Sequence, residues 1–292
     1  MKKNKVLIAI SILLVVLFCA TAIAGGHGKK EKKEAGILLV AFGSSMPEAQ
    51  VSFENIDREV KASFSKIPVR WAYTSHMIRR KLAKSGKYLD SPEVALAKML
   101  DEGFTHVAAQ SLHTIGGYEF HDLRRTVHQF QYPGGFHSIM LGFPLLSSQK
   151  DMQRVRDAII ENIPKERKQN EGIVLMGHGT HHPSNAFYAA LMFQIQRKDP
   201  NIFIGCVEGY PEIDEIIAML KEKSIKKVYL MPFMSVAGDH ARNDMAGDDE
   251  DSWKSILTKA GIESVPILKG TAEYGNMVDI WVDHLGTILD QL

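Results

Sequence analysis

Cysteine is almost missing from this chain: Cys19 and Cys206 are the two among 292 residues. Cys19 lies in an N-terminal segment expected to be removed, so an internal disulfide is excluded and stability must come from ordinary burial. An excess of charge of one sign is missing too, with 35 Lys and Arg against 34 Asp and Glu. That balance speaks against a nucleic-acid partner. No phosphate-binding loop is present. Gly177-x-Gly179 lacks the third glycine of a dinucleotide loop and no Walker lysine follows it, so no nucleotide cofactor is expected. After the first segment, no apolar run reaches the roughly 20 residues of a membrane span, so none is expected to insert once that segment is gone.

The N-terminus itself reads as an export signal. Lys2, Lys3 and Lys5 precede an apolar run from Val6 to Ala20, and Ala22-Ile23-Ala24 is a small-x-small cleavage site, predicting a signal peptide over 1–24 cut after Ala24. The run is short for a retained anchor, and Phe18 is too bulky for a lipoprotein site at Cys19. A periplasmic location is the expectation. Removing the three lysines leaves 32 basic against 34 acidic residues, so the remaining chain is slightly acidic. Residues 25–35 form a polar leader whose His27 reads as part of a flexible tail.

The chain then repeats itself. Gly36-Ile-Leu-Leu-Val-Ala-Phe-Gly-Ser-Ser-Met-Pro47 matches Gly172-Ile-Val-Leu-Met-Gly-His-Gly-Thr-His-His-Pro183. Each is an unbroken apolar run closed by Gly, a hydroxyl residue and Pro, the pattern of a strand buried on both faces that turns into a helix. Further strands are predicted at 69–75, 105–111 and 137–142 in the first half, and at 202–208, 226–232 and 263–268 in the second. Helices are predicted at 48–66, 91–102 and 148–162, and at 184–198, 211–223 and 275–291. The expected fold is α/β: two similar doubly wound lobes, 36–163 and 172–292, each a four-stranded parallel sheet flanked by helices, with a cleft between them. Ligands of such folds bind at the carboxyl ends of the strands.

Polar residues that break the repeat mark the candidate site. Phe42 corresponds to His178, Glu119 to His240, and, in a coarser alignment, Ser75 to Glu208. Two imidazoles and a carboxylate at neighbouring strand ends are a common shell for a divalent transition metal. The expected metal ligands are therefore His178, Glu208 and His240. The expected catalytic groups are His178, His240 and Glu119, the last facing them from the other lobe. For each histidine alone a backbone-satisfied turn is the blander reading; their equivalence decides for a site.

Other features are weaker. His178, His181 and His182 have helical zinc spacing, but the surrounding glycines and Pro183 exclude a helix there. Asp248-Asp-Glu-Asp251 lacks calcium-loop spacing and reads as a solvated acidic loop. Ser44 and Ser45 read as turn residues, and Cys206 as a packing residue in a strand. His113, His121 and His128 fall between the third and fourth strands of the first half, where an extra metal or haem is the functional alternative to surface or core histidines.

These residues resemble a known family. Gly36-Ile-Leu-Leu-Val-Ala-Phe-Gly-Ser, Leu112-His-Thr-Ile-Gly-Gly-Tyr-Glu119, Met176-Gly-His-Gly-Thr-His-His and Met231-Pro-Phe-Met-Ser-Val-Ala-Gly-Asp-His240 look like the anaerobic-pathway cobalt chelatases of the CbiK family. These are class II chelatases, related in fold to ferrochelatase and needing no ATP. The resemblance runs from about residue 36 to the C-terminus. It implies insertion of Co²⁺ into sirohydrochlorin, a corrin precursor, with the family's metal histidines on His178 and His240 and its acidic cleft residues on Glu208 and Glu119. The export signal departs from the family, whose corrin-making members work in the cytoplasm, and leaves the physiological ring and ion open. The alternatives are ferrochelatase-type insertion of Fe²⁺ and a periplasmic metal- or haem-binding carrier without turnover. A homo-oligomer would add stability that cross-links do not supply.

Overall fold

The computed structural model describes residues 33–292. The expected signal segment with its cleavage after Ala24, Cys19 and the leader's His27 lie outside the described residues. Residues 34–292 gather into one unit of two parallel sheets. The first sheet has the strands β1 (Ala35–Ala41), β2 (Val69–Tyr73), β3 (His106–Ser111) and β4 (Ser138–Gly142), in the order β2-β1-β3-β4. The second repeats this with β5 (Gly172–Gly177), β6 (Ile202–Cys206), β7 (Lys227–Pro232) and β8 (Glu263–Pro266), in the order β6-β5-β7-β8. The predicted strands are all present; β2, β6 and β8 end two residues short of the predicted bounds, and β3, β4 and β7 begin one residue late. The unbroken apolar runs are the central strands: every residue of β5 is buried, and every residue of β1 after Ala35.

The helices are α1 (Gln50–Ser63), α2 (His76–Lys84), α3 (Pro92–Asp101), α4 (Tyr118–Gln129), α5 (Gln149–Glu161), α6 (Ala186–Gln196), α7 (Ile213–Glu222), α8 (Trp253–Lys259) and α9 (Gly275–Leu289). Pro47 and Pro183 each open a short 3₁₀ turn that leads into α1 and α6, as a fixed φ at the first helical position favours. Ser75, Ser91, Ser148 and Ser252 cap α2, α3, α5 and α8 by accepting a backbone N–H two or three residues into the helix. Of these helices, α2, α4 and α8 are additions to the sequence reading, as is a π-turn at Ala241–Met245.

The closing helix of each half packs across the sequence boundary. α5 lies along α6, where Met152 Sδ accepts a hydrogen bond from Gln194 Nε2 at 3.3 Å, and α9 lies against β3 and β4 of the first sheet. The division at 163 and 172 is thus one of sequence, which the packing straddles. The apolar core is correspondingly shared: one cluster includes both Leu39 and Phe203, and a second, with Val40 and Leu96, covers the other face of the first sheet. Trp281 of α9, 1 % exposed, is among its largest fully buried side chains. A polar clasp fixes α9 as well: the His284 ring meets the Phe143 carbonyl at Nδ1 (3.1 Å) and Asp151 Oδ1 at Nε2 (3.0 Å). Cys206 is buried in β6, and burial raises its thiol to about 12, so it packs as a small apolar group.

Candidate functional site

The two halves carry the same hydrogen bonds at their strand ends, and these bonds fix which residues correspond. Ser75 N–H donates to the Phe42 carbonyl at 3.1 Å, and Glu208 N–H donates to the His178 carbonyl at 2.7 Å. Likewise Leu112 N–H reaches Val40 O at 2.8 Å, and Phe233 N–H reaches Met176 O at 2.7 Å. His121 N–H to Gly117 O and Arg242 N–H to Gly238 O are both 3.1 Å. Phe42 thereby matches His178, Ser75 matches Glu208, and the Glu119 position matches His240.

All three polar residues of the second lobe sit at carboxyl ends of strands: His178 just past β5, Glu208 past β6, and His240 at the head of the π-turn beyond β7. The His178 and His240 rings meet edge to face, with centroids 4.8 Å apart and planes at 86°. His178 Nδ1 lies 3.1 Å from the Gly179 carbonyl, an acceptor only, so the neutral ring carries its proton on Nδ1 and leaves the lone pair on Nε2. Gly179, at φ +82°, makes this turn possible, and a Cβ there would press on Cys206 at 2.8 Å. His240 gives its Nδ1–H to Asp244 Oδ2, one helical turn on, which leaves its Nε2 free in the same way. Asp244 was missed in the sequence, although its position four residues after His240 was the available signal. Glu208 Oε2 comes within 4.0 Å of His178 Nδ1, and its side chain is 58 % exposed. Among the described residues, no three His, Cys, Asp or Glu side chains form a closed metal cage. The arrangement is an open imidazole pair with a carboxylate at its side.

The first lobe faces this pair closely. Gly238, two residues before His240, lies against Ser44, where a Cβ would meet Oγ at 3.4 Å. A Cβ on Gly117 would meet Thr180 Cγ2 at 4.0 Å and Ser184 Oγ at 3.9 Å. These distances are ordinary van der Waals contact, so they mark where the strand-end loops of the two lobes lie side by side. Glu119, in the first turn of α4, is within electrostatic reach of both His178 and Glu208. Removal of water by the surrounding protein raises its carboxyl above the ordinary range, Glu208 and Asp122 push the same way, and His178 opposes them. A depression of about 470 Å³ beside the pair is lined by Thr180, His182, Glu208 and Tyr210 among others.

The weaker candidates are dispersed. His113 meets Ser111 Oγ at Nδ1 (2.9 Å), its buried Nε2 has no partner, and burial lowers its pKa to about 4. His121 meets His182 of the other lobe in a tilted ring contact with centroids 4.9 Å apart, while His128 lies two turns further along α4, against Gln131. His182 Nδ1 accepts from Ser184 N–H at 3.1 Å and begins the turn into α6. Asp248 and Glu250 are paired with Lys254 and Lys259 on the surface, and Ser44 Oγ accepts from Met46 N–H, as a turn residue does.

The family model for cobalt chelatase (CbiK) matches residues 35–290. The chain belongs to the CbiK cobalt chelatase family. Among curated relatives, a sirohydrochlorin cobaltochelatase, CbiKC, of Nitratidesulfovibrio vulgaris is 44% identical over 257 residues, 88% of this chain and 91% of that one. The sirohydrochlorin cobaltochelatase of Salmonella typhimurium is 40% identical over 256 residues, 87% and 96% of the two chains. Among solved structures, SirB from Bacillus subtilis with Fe³⁺ superposes with a TM-score of 0.58 at 14% identity, covering 87% of this chain and 94% of that one. CbiX, described as the terminal enzyme of siroheme biosynthesis in denitrifying bacteria, superposes with a TM-score of 0.54 at 15% identity, covering 86% and 98%. These structures share the two-lobed chelatase fold, in agreement with the repeat.

Proposed function

We propose that this CbiK-family chelatase inserts Co²⁺ into sirohydrochlorin without ATP, with His178 and His240 holding the incoming ion. The observation that carries the reading is the open imidazole pair, each ring with Nδ1 committed to oxygen and Nε2 free. Neutral imidazole suits a borderline divalent ion, and Glu208 supplies compensating negative charge beside it. An ion passed on to a macrocycle needs ligands that leave coordination positions open, and two rings and one exposed carboxylate do so.

The macrocycle must also lose its inner N–H protons as the ion enters. Glu119 faces the pair from the other lobe, and its raised pKa makes it a better proton acceptor than an ordinary carboxylate. On this account the ring lies between lobes, ion on the His178 side and proton acceptor on the Glu119 side. Fe²⁺ is the runner-up ion, since first-row ions make similar demands on an N/O site. The segment before Gly25 supports placing the activity in the periplasm; fractionation with N-terminal sequencing of the exported protein tests that, with a start at Gly25 expected and an uncleaved cytoplasmic chain against it.

Parallel assays of Co²⁺ and Fe²⁺ on sirohydrochlorin and protoporphyrin test the assignment. Fastest turnover is expected for Co²⁺ with sirohydrochlorin. Preference for Fe²⁺ with protoporphyrin would replace it with a ferrochelatase, and stoichiometric uptake without turnover would make the protein a carrier.

A further inference from the structure

We propose that the exposed face of α2 is the subsite that binds the carboxylate side chains of the tetrapyrrole; the inference rests on the substrate reading above. The helix begins at the site. Its N-cap, Ser75, is the counterpart of Glu208 and donates its backbone N–H to Phe42, the counterpart of His178. The second lobe has no equivalent helix there: the chain passes from β6 through Val207–Glu212 directly into α7. The first lobe therefore adds an element at the strand end where the second lobe carries Glu208.

The composition of that element is one-sided. From His76 to Lys87 the sequence carries Arg79, Arg80, Lys81, Lys84 and Lys87 and no Asp or Glu. Leu82 is buried and Ile78 partly so, one turn apart, and they fix the inner face. Met77, Arg80, Lys81 and Lys84 follow at the helical spacing that puts them together on the outer face, and all four are exposed, Met77 at 76 %. Some cations elsewhere on the surface, Arg70, Lys98, Arg125 and Arg154 among them, carry carboxylate partners, and others, such as Lys221 and Lys223, stand beside acidic neighbours in sequence. Among the described residues, Arg80, Lys81 and Lys84 have none. Phe42, 42 % exposed, sits beside the helix start.

Sirohydrochlorin is a flat apolar ring edged with acetates and propionates. The metal end of the cleft, with Glu208, Asp244 and Glu119, repels such an edge, whereas Phe42 and Met77 offer the ring an apolar surface and Arg80, Lys81 and Lys84 offer its carboxylates unpaired cations. The test titrates the full exported chain with metal-free sirohydrochlorin by fluorescence quenching, at low and high salt, and measures KM and kcat for cobalt insertion. The double variant Arg80→Glu/Lys84→Glu should bind roughly tenfold or more weaker at low salt, lose most of that deficit at high salt, and keep its kcat at saturation. Arg80→Lys/Lys84→Arg should restore binding, and Lys223→Glu, at the C-terminal end of α7 and so near the amino ends of the second sheet's strands, should change nothing. Unchanged low-salt binding in the double variant, or an equal loss in Lys223→Glu, overturns the proposal. Wild type that binds the ring without inserting cobalt would remove the functional reading while the binding comparison still decides α2; wild type that does not bind the ring removes both.

Discussion

His240 and Asp244 form a carboxylate–imidazole pair one helical turn apart, and this pair turns the free Nε2 of His240 beside the ring of His178. The irregular π-turn at Ala241–Met245 is the backbone device that carries it. The bond sets both the tautomer and the basicity of the ring.

Asp244 is therefore expected to matter without touching the ion. Asp244→Ala should weaken cobalt binding by about 10–100-fold and leave the thermal midpoint little changed, because both side chains are part-exposed. Isothermal titration with Co²⁺ checks this; wild-type affinity would show that the pair has no orienting role.

The raised carboxyl of Glu119 sets a pH dependence. As a proton acceptor it must be ionised, so kcat at saturating Co²⁺ should fall as pH drops through its raised pKa. Glu119→Gln should lower the plateau and abolish that acid limb. An unchanged profile in the variant would assign proton removal to another group.

Much of this was legible in the sequence, because a buried parallel strand writes itself as an apolar run and a duplicated half shows its exceptions. Phe42 against His178 and Glu119 against His240 could be read that way, and the strand-end hydrogen bonds give the same correspondence. Other features had no such trace. Only Leu82 of α2 is buried, so that helix lacks the apolar stripe by which helices are recognised. The exchange of α5 and α9 between halves, and the tilted contact of His121 with His182, are matters of tertiary packing that no local pattern encodes. Asp244 left only its four-residue spacing from His240, and with no helix predicted over 241–245 that spacing carried no meaning.

The exchanged helix α9 supports a stability prediction. Trp281 is fully buried against the shared core, and Trp281→Ala should cost about 3–5 kcal/mol. Denaturant unfolding measures it, and a loss below about 1 kcal/mol would mean the site collapses around the cavity or α9 contributes little.

The clasp on α9 should show in acid. Burial alone would raise the Asp151 carboxyl, but the hydrogen bonds from Ser148 and His284 outweigh it and hold the pKa below its ordinary 3.8. A depressed carboxylate stabilises the fold in full above the ordinary value, and that contribution is lost as pH falls from there through the folded value. Asp151→Asn should therefore melt lower than wild type at neutral pH, with the gap closing as pH falls below the ordinary carboxylate value through the lowered one. A constant gap would contradict the assigned ionisation.

The central claim is that His178 and His240 together deliver the ion, and a multiple-turnover absorbance assay with Co²⁺ and sirohydrochlorin tests it most directly. Wild type should metallate many rings per protein molecule, while His178→Ala and His240→Ala, folded as judged by circular dichroism, should each lose at least about a hundredfold in rate. Near-wild-type turnover in either folded variant would contradict the account.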